Sequence, residues 1–374
     1  MELIATCAFG LEKLVKDELK QLGLWIIKTE NGRITFSGDE TAIIKSNLWL
    51  RCAERVQIKM AQFTAVTFDE LFDNINALEW EKYIGKNDVF SNTATSVKSI
   101  LHSEPAIQSI VKKAIAARLQ QKHNTKLLPE NSGIIYQIFV KANNNEFIIS
   151  INTSGDSLHK RGYRANSNIA PIKETLAAAI IKLSDWYPAR PLVDTFCGSG
   201  TIGIEASMIA NNIAPGLMRR FAFQQWPWLN KQLIAKIFAE TQNAIKPIKK
   251  LPIFSFDIDA ATIEIAKQNA RRAGFEDLNF TRSDFRALDF GKFKDCSFIV
   301  NPPYGERLDE KAKVAKMYRD FGKKFKETKN CSLFLITPNQ NFPTLFGRPA
   351  RKNRKLFNGK IKCYLYSYYA NTKN

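Results

Sequence analysis

Cysteine and histidine are scarce in this 374-residue chain, with six of the first and three of the second. Cys7, Cys52, Cys197, Cys296, Cys331 and Cys363 are scattered, form no C-x-x-C pair and lie apart from the histidines. Neither a zinc site nor a disulfide framework follows from such spacing, so no metal is expected. Long apolar runs are missing too, which excludes a membrane-spanning helix of about 20 residues. Met1-Glu2-Leu3-Ile4 lacks the basic start of a secretory leader. A reduced cytoplasm, with no membrane partner, is therefore expected. Acidic residues are few, 36 against 55 Lys and Arg, and none follows Glu327. The resulting net charge of +19 and pI near 9.6 suit a polyanionic partner, although basicity alone does not select nucleic acid.

What the chain does have is length and apolar material. At 374 residues it exceeds one ordinary core and predicts two or three domains, and 45% hydrophobic with 11% aromatic residues is a folded composition. The most informative stretch is Val300-Asn301-Pro302-Pro303-Tyr304-Gly305, which closes the apolar run Ser297-Phe298-Ile299-Val300. A short branched apolar run stopped by two prolines reads as a buried strand ending in a rigid loop. An exocyclic amine on a base is a poor nucleophile because its lone pair is delocalised, so an enzyme acting on it must hold both N–H bonds. The Asn301 side-chain oxygen and the Pro302 carbonyl could accept one each. Pro303 stiffens the loop, and Tyr304 would stack on the base. The plain alternative is a strand-ending turn.

A strand, a glycine turn and a helix succeed one another in Leu192-Val193-Asp194-Thr195-Phe196-Cys197-Gly198-Ser199-Gly200-Thr201-Ile202-Gly203. Such a turn lets backbone N–H groups approach a ligand closely. Gly198, Gly200 and Gly203 satisfy G-x-G-x-x-G, but no acid stands about twenty residues on, as a dinucleotide site requires. The next acid at a strand end is Asp257, whose carboxylate could accept two ribose hydroxyls. Asp259 reads as the cap of a helix over 260–273. A third strand at 278–281 precedes Asp284 and Phe285, an acid suited to an adenine amino group and a ring to pack on it; a turn-forming Asp is the alternative. With helix 314–325 and strand Ser332–Thr337, this half is an alternating β/α series whose candidate loops share the carboxyl ends of its strands. Residues 211–252 read as a helical insertion, packed or lying over the site as a lid.

Ahead of this half, strands at 2–7, 24–29 and 33–37 with helices after residue 11 and near 40–50 form a small α+β unit. A second unit begins near 56, with a helix at 67–76, a strand at Val89–Val97, an amphipathic helix at 106–119 flanked by Lys112 and Lys113, and strands at 134–140 and 147–152. The polar connection that follows carries Lys160, Arg161, Tyr163 and Arg164, a composition that suits either a solvated linker or phosphate contact with base stacking. A helix is predicted from Pro171. Near the C-terminus, Asn358-Gly359 between two strand-like runs is a hairpin signal, and Arg348, Arg351, Lys352, Arg354 and Lys355 form a basic cluster.

The segment from Asp194 to Thr201, together with Asn301-Pro302-Pro303-Tyr304, resembles the class I S-adenosylmethionine-dependent amino-methyltransferases. Leu158-His159-Lys160-Arg161-Gly162-Tyr163-Arg164, Ala170-Pro171-Ile172-Lys173-Glu174-Thr175-Leu176-Ala177 and Asn212-Ile213-Ala214-Pro215-Gly216-Leu217 are similar to the bacterial THUMP-domain guanine-N2 RNA methyltransferases of the 23S rRNA type. The resemblance implies an α/β chain. A ferredoxin-like unit would occupy 1–55, a THUMP RNA-binding domain 56–155, a basic linker 156–170 and a Rossmann-like methyltransferase domain 171–374. It implies donor contacts at Asp194, Phe196, Cys197, Gly198, Ser199, Gly200, Thr201, Asp257, Ile258, Asp284 and Phe285, and target-base contacts at Asn301, Pro302, Pro303 and Tyr304. S-adenosyl-L-methionine would be the methyl donor, S-adenosyl-L-homocysteine the product, and RNA the partner, rRNA ahead of tRNA. The second fused methyltransferase domain of some relatives is not expected. Adenine-N6 methylation, a non-catalytic RNA-binding protein and an NAD-dependent oxidoreductase are the competing readings.

Overall fold

Two seven-stranded sheets organise the chain, seen in a computed structural model that describes residues 1–130, 133–164, 172–246, 251–305 and 308–370. The first half contains β1 (Glu2–Thr6), α1 (Glu12–Gln21), β2 (Trp25–Glu30), β3 (Arg33–Ser37), α2 (Glu40–Trp49), β4 (Arg55–Thr64), α3 (Phe68–Asn76), β5 (Val89–Val97), α4 (Glu104–Lys122), β6 (Ile135–Asn143) and β7 (Glu146–Asn152). Its sheet order is β2-β3-β1-β4-β7-β6-β5. Each helix entry follows from local chemistry: Asp39, Thr67 and Ser103 accept backbone N–H bonds at the starts of α2, α3 and α4. On α4 the stripe Ile107, Val111, Ala114, Ile115 and Leu119 is buried while Lys112 and Lys113 are exposed.

The sequence divides this half near residue 56, and the structure joins it there. β4 pairs antiparallel with β1 from Arg55 to Ile58 and with β7 from Gln57 to Thr64, so both expected units share one continuous sheet.

In the second half, α5 (Glu174–Leu183), β8 (Leu192–Asp194), α6 (Thr201–Ala210), α7 (Lys231–Asn243), β9 (Ile253–Asp257), α8 (Ala260–Arg272), β10 (Asn279–Arg282), β11 (Ser297–Val300), α9 (Leu308–Phe325), β12 (Ser332–Thr337), α10 (Phe342–Phe346), β13 (Lys352–Asn358) and β14 (Ile361–Tyr368) build a sheet ordered β10-β9-β8-β11-β12-β14-β13. The five strands from β10 to β12 are parallel, and β14 and β13 close the edge as an antiparallel hairpin. Strand order reverses between β8 and β11, where such sheets hold their ligands. α5 begins at Glu174; Pro171, where the sequence places its start, lies outside the described residues. α10 escapes sequence reading because it is only five residues long and carries Pro343.

One expectation needs correction, and one open alternative is narrowed. The described part of the connection, 156–164, is not a solvated linker: Leu158, Arg161 and Tyr163 are buried. Nor does the described part of 211–252 form a lid. Trp226 is fully buried, stacked 5.2 Å from Tyr136 of β6 and 5.2 Å from Trp228, which meets Tyr83 edge-on at 5.4 Å. Glu40 of α2 accepts the Asn230 backbone N–H at the entry to α7. The insertion packs the second half against the first through these large buried rings. Trp226→Ala should cost about 3–5 kcal/mol in chemical denaturation while leaving a folded protein at low temperature.

Candidate active site

β8 ends at Asp194, and the chain turns through Gly198 and Gly200 before α6 begins at Thr201. Gly200 is the helix cap with φ near +82°, and a Cβ there would lie 2.9 Å from the Phe280 ring. Only glycine satisfies both constraints. Gly198, at φ +51°, has no atom within 4 Å of a built Cβ, so its backbone is open on the cavity side. The Gly198 N–H donates to Asp257 Oδ2 at 2.9 Å, clasping the end of β8 to the end of β9. Asp257 Oδ1 accepts the Asp259 N–H, and Asp259 caps α8 as its position predicts. Both Asp257 oxygens keep a lone pair for further donors.

These loops and the Asn301 loop line one cavity of about 750 Å³. Asp194, Phe196, Cys197, Gly198, Ser199 and Thr201 contribute from the first turn, Asp257 and Ile258 from the second strand, Asp284 and Phe285 from the third, and Asn301, Pro302, Pro303 and Tyr304 from the fourth. Gly200 stands behind this wall, against Phe280. Ile258 is 62% exposed, an apolar side chain left at the rim. Phe285 is buried among Phe196 and Phe321, with the Arg286 guanidinium 4.7 Å above its ring. Asp284 is already engaged, accepting the Arg286 N–H at 2.9 Å and pairing with its guanidinium at 3.2 Å.

Asp194 is the most constrained group. It is fully buried, its Oδ1 accepts the Phe196 N–H at 3.1 Å, and its Oδ2 has no partner among the described residues. Burial, reinforced by the Asp257 charge and opposed by that N–H, pushes its carboxyl up to about 8. An orphaned buried oxygen on the cavity wall fits a cationic or hydrogen-bond-donating ligand. In the fourth loop the Tyr304 hydroxyl donates to Asn301 Oδ1 at 2.8 Å, and burial raises the tyrosine above its ordinary range, keeping it protonated. Cys363 Sγ lies 3.7 Å from that hydroxyl. Sequence reading missed Cys363, and also Ile172 and Met317 of the cavity wall, because they reach the site from separate elements with no local motif to mark them.

The basic connection is placed differently from its expectation. Arg161 and Tyr163 do not face a partner: each is 1% exposed. Arg161 pairs with buried Glu205 of α6 at 3.2 Å and donates to the Leu158 and Arg51 carbonyls, while the Tyr163 hydroxyl donates to Glu205 at 3.3 Å. A buried carboxylate requires such partners, and that requirement removes both side chains from RNA contact. Arg164 is half-buried, bonded to Thr201 Oγ1 and paired with Glu174 at 3.2 Å. Lys160 remains exposed, beside Asp156. Among the described residues no group of three or more His, Cys, Asp or Glu is placed to hold a metal, and no helix is long and apolar enough to cross a membrane.

A mainly parallel sheet with this strand order, a glycine turn clasped to the next strand's acid and the Asn-Pro-Pro-Tyr loop in the same cavity define a class I S-adenosylmethionine-dependent methyltransferase. Known proteins carry the assignment further. Residues 161–367 match the RMKL-like methyltransferase domain, residues 2–57 the RlmL ferredoxin-like domain and residues 65–152 the THUMP domain. A Bacillus subtilis (strain 168) protein, provisionally named as the RNA methyltransferase YpsC, is 43% identical over 99% of this chain and 96% of its own. The crystal structure of SMU.472, provisionally a methyltransferase and complexed with S-adenosylhomocysteine, superposes with TM-score 0.93 at 43% identity, covering 100% of this chain and 99% of that one. A Listeria monocytogenes (str. 4b F2365) structure, named from sequence as an N6-adenine-specific DNA methylase, gives TM-score 0.92 at 42% identity over 99% and 96%. The chain belongs to the RMKL-like methyltransferase family. Its methyl donor is S-adenosylmethionine.

A carboxyl raised in the folded state favours that state below the unfolded value near 3.9 and loses the contribution as pH climbs toward 8. Asp194→Asn should therefore gain stability relative to the parent between pH 5 and 8, by at most about 1.4 kcal/mol per pH unit. Denaturation midpoints of both proteins across that range check the sign.

Proposed function

We propose that this enzyme methylates the exocyclic N2 of a guanine in RNA, most specifically in 23S rRNA, within a reducing cytoplasm. The carrying observation is that Asn301-Pro302-Pro303-Tyr304 and the donor-side loops line the same cavity. The RNA assignment is supported by the THUMP match, by the name of the B. subtilis relative and by the net charge of +19. Six free cysteines suit a reducing compartment. In this reading residues 56–155 dock RNA with Lys112 and Lys113 as phosphate contacts, Lys160 of the connection adds another, and residues 171–374 perform the transfer.

When bound, the donor supplies a methyl group on a positively charged sulfur. Asn301 Oδ1, with one lone pair engaged by Tyr304, offers the other to one amine N–H, and the Pro302 carbonyl accepts the second. That leaves the nitrogen lone pair pointing across the cavity. Asp257 would accept hydroxyls, Ile258 and Phe285 would flank a ring, and the Asp194 oxygen left unpaired among the described residues would face the donor's polar end. Positioning and electrostatics account for the rate, with the base flipped out of its stack. The Tyr304 hydroxyl holds Asn301 Oδ1, and its ring lines the cavity where it would stack on the base.

Adenine N6 is the second reading, because the same two acceptors serve either amine and the Listeria relative carries an adenine-directed name. Asn301→Ala should keep donor affinity and lose methylation by several orders of magnitude; a mild loss would remove the amine-holding role. Asp257→Ala should weaken donor binding, read by calorimetry, with turnover at saturating donor comparatively spared. Mass mapping of RNA from a strain lacking the protein decides between guanine and adenine: the missing nucleoside should be N2-methylguanosine, and missing N6-methyladenosine would select the second reading.

A further inference from the structure

The β13–β14 hairpin carries a surface that the chemistry above does not use. Lys355 pairs with Tyr364 and Phe357 with Lys362 across the ladder. Residues two apart on a strand share a face, so these four side chains form one patch of alternating cations and rings. The Lys355 ammonium sits 5.8 Å from the Phe357 ring centre and the Lys362 ammonium 5.4 Å from that of Tyr364. On the opposite face Leu356, Cys363 and Leu365 are core. α10 covers the sheet only as far as Tyr366, which packs 5.3 Å from Phe342. Beyond it both lysines are exposed and both rings half-exposed. Phe9, from the loop after β1, extends the patch: it is 54% exposed and meets Phe357 edge-on at 6.1 Å.

We infer that Phe9, Lys355, Phe357, Lys362 and Tyr364 form a stacking platform for a single-stranded RNA segment next to the target nucleotide. The inference rests on the RNA reading above. Position supports it, since Tyr364 pairs with Thr337 at the carboxyl end of β12, the same end of the sheet at which the Asn301 loop leaves β11. Charge selects the occupant: neither lysine has an acidic partner among the described residues, and no Asp or Glu occurs anywhere after Glu327. Exposed rings between unpaired ammonium groups match what a single strand offers, phosphates along one edge and free base faces along the other. A duplex hides those faces in its own stack and cannot use the rings.

The test uses the full-length protein and an oligo(A) RNA of about a dozen nucleotides carrying 2-aminopurine. Binding of the single strand should quench the probe, and a duplex of the same sequence should bind more weakly. Lys355→Gln with Lys362→Gln should weaken binding and flatten the slope of log K against log salt by about 1.4. Phe9→Ala and Phe357→Ala should each weaken binding about tenfold with the slope unchanged. Calorimetry with S-adenosylmethionine checks that every variant keeps its donor site, and Phe9→Ala, at an exposed position, keeps the test decisive if Phe357→Ala unfolds. Unchanged affinity in both pairs, or equal binding of the duplex, would overturn the platform. Failure of the parent protein to methylate any RNA would instead remove the underlying reading, since the binding assay does not depend on turnover.

Discussion

The arrangement of the two halves depends on one buried carboxylate. Glu205, fully enclosed in α6, is paired by Arg161, and the same guanidinium donates to the carbonyl of Arg51 in the first half. Arg51 returns a bond of 2.6 Å to the Ile213 carbonyl just after α6. Breaking one member of such a set leaves an uncompensated charge away from water, which typically costs several kcal/mol. Removing all members together would cost far less. The set therefore specifies a geometry more than it adds net stability.

That set of contacts places the cavity-bearing half against the first sheet. β4 runs unbroken between the ferredoxin-like and THUMP portions, and the Trp226 stack anchors the inserted segment to β6. A substrate gripped at α4 or at Phe9 would thus be held by a body continuous with the methyltransferase sheet.

Much of the second half was legible because its chemistry is local. Glycines at a strand end, an acid ending the next strand and a double proline after an apolar run each carry their own physical reason, and the parallel sheet brings them to one rim. The linker was misread because Arg161 and Tyr163 look exposed in sequence; the partner that buries them, Glu205, lies 44 residues downstream on an apolar helix. The insertion was ambiguous for the same reason, since its tryptophans stack on rings contributed by the other half. The continuous first sheet was also hidden, because a ten-residue strand that serves two neighbours looks like the start of a new unit.

Tyr304 has a consequence for what the cavity refuses. Because burial keeps its proton on, its hydroxyl presents a donor to Asn301, and the amide settles with oxygen toward that donor and toward the cavity. In the proposed reading a keto group entering at the amine position, as at C2 of xanthine, would meet oxygen with oxygen and find the neighbouring proline carbonyl equally repulsive. In that reading the two acceptors favour a base that brings an amine to this position, with the tyrosine proton holding the Asn301 oxygen in place.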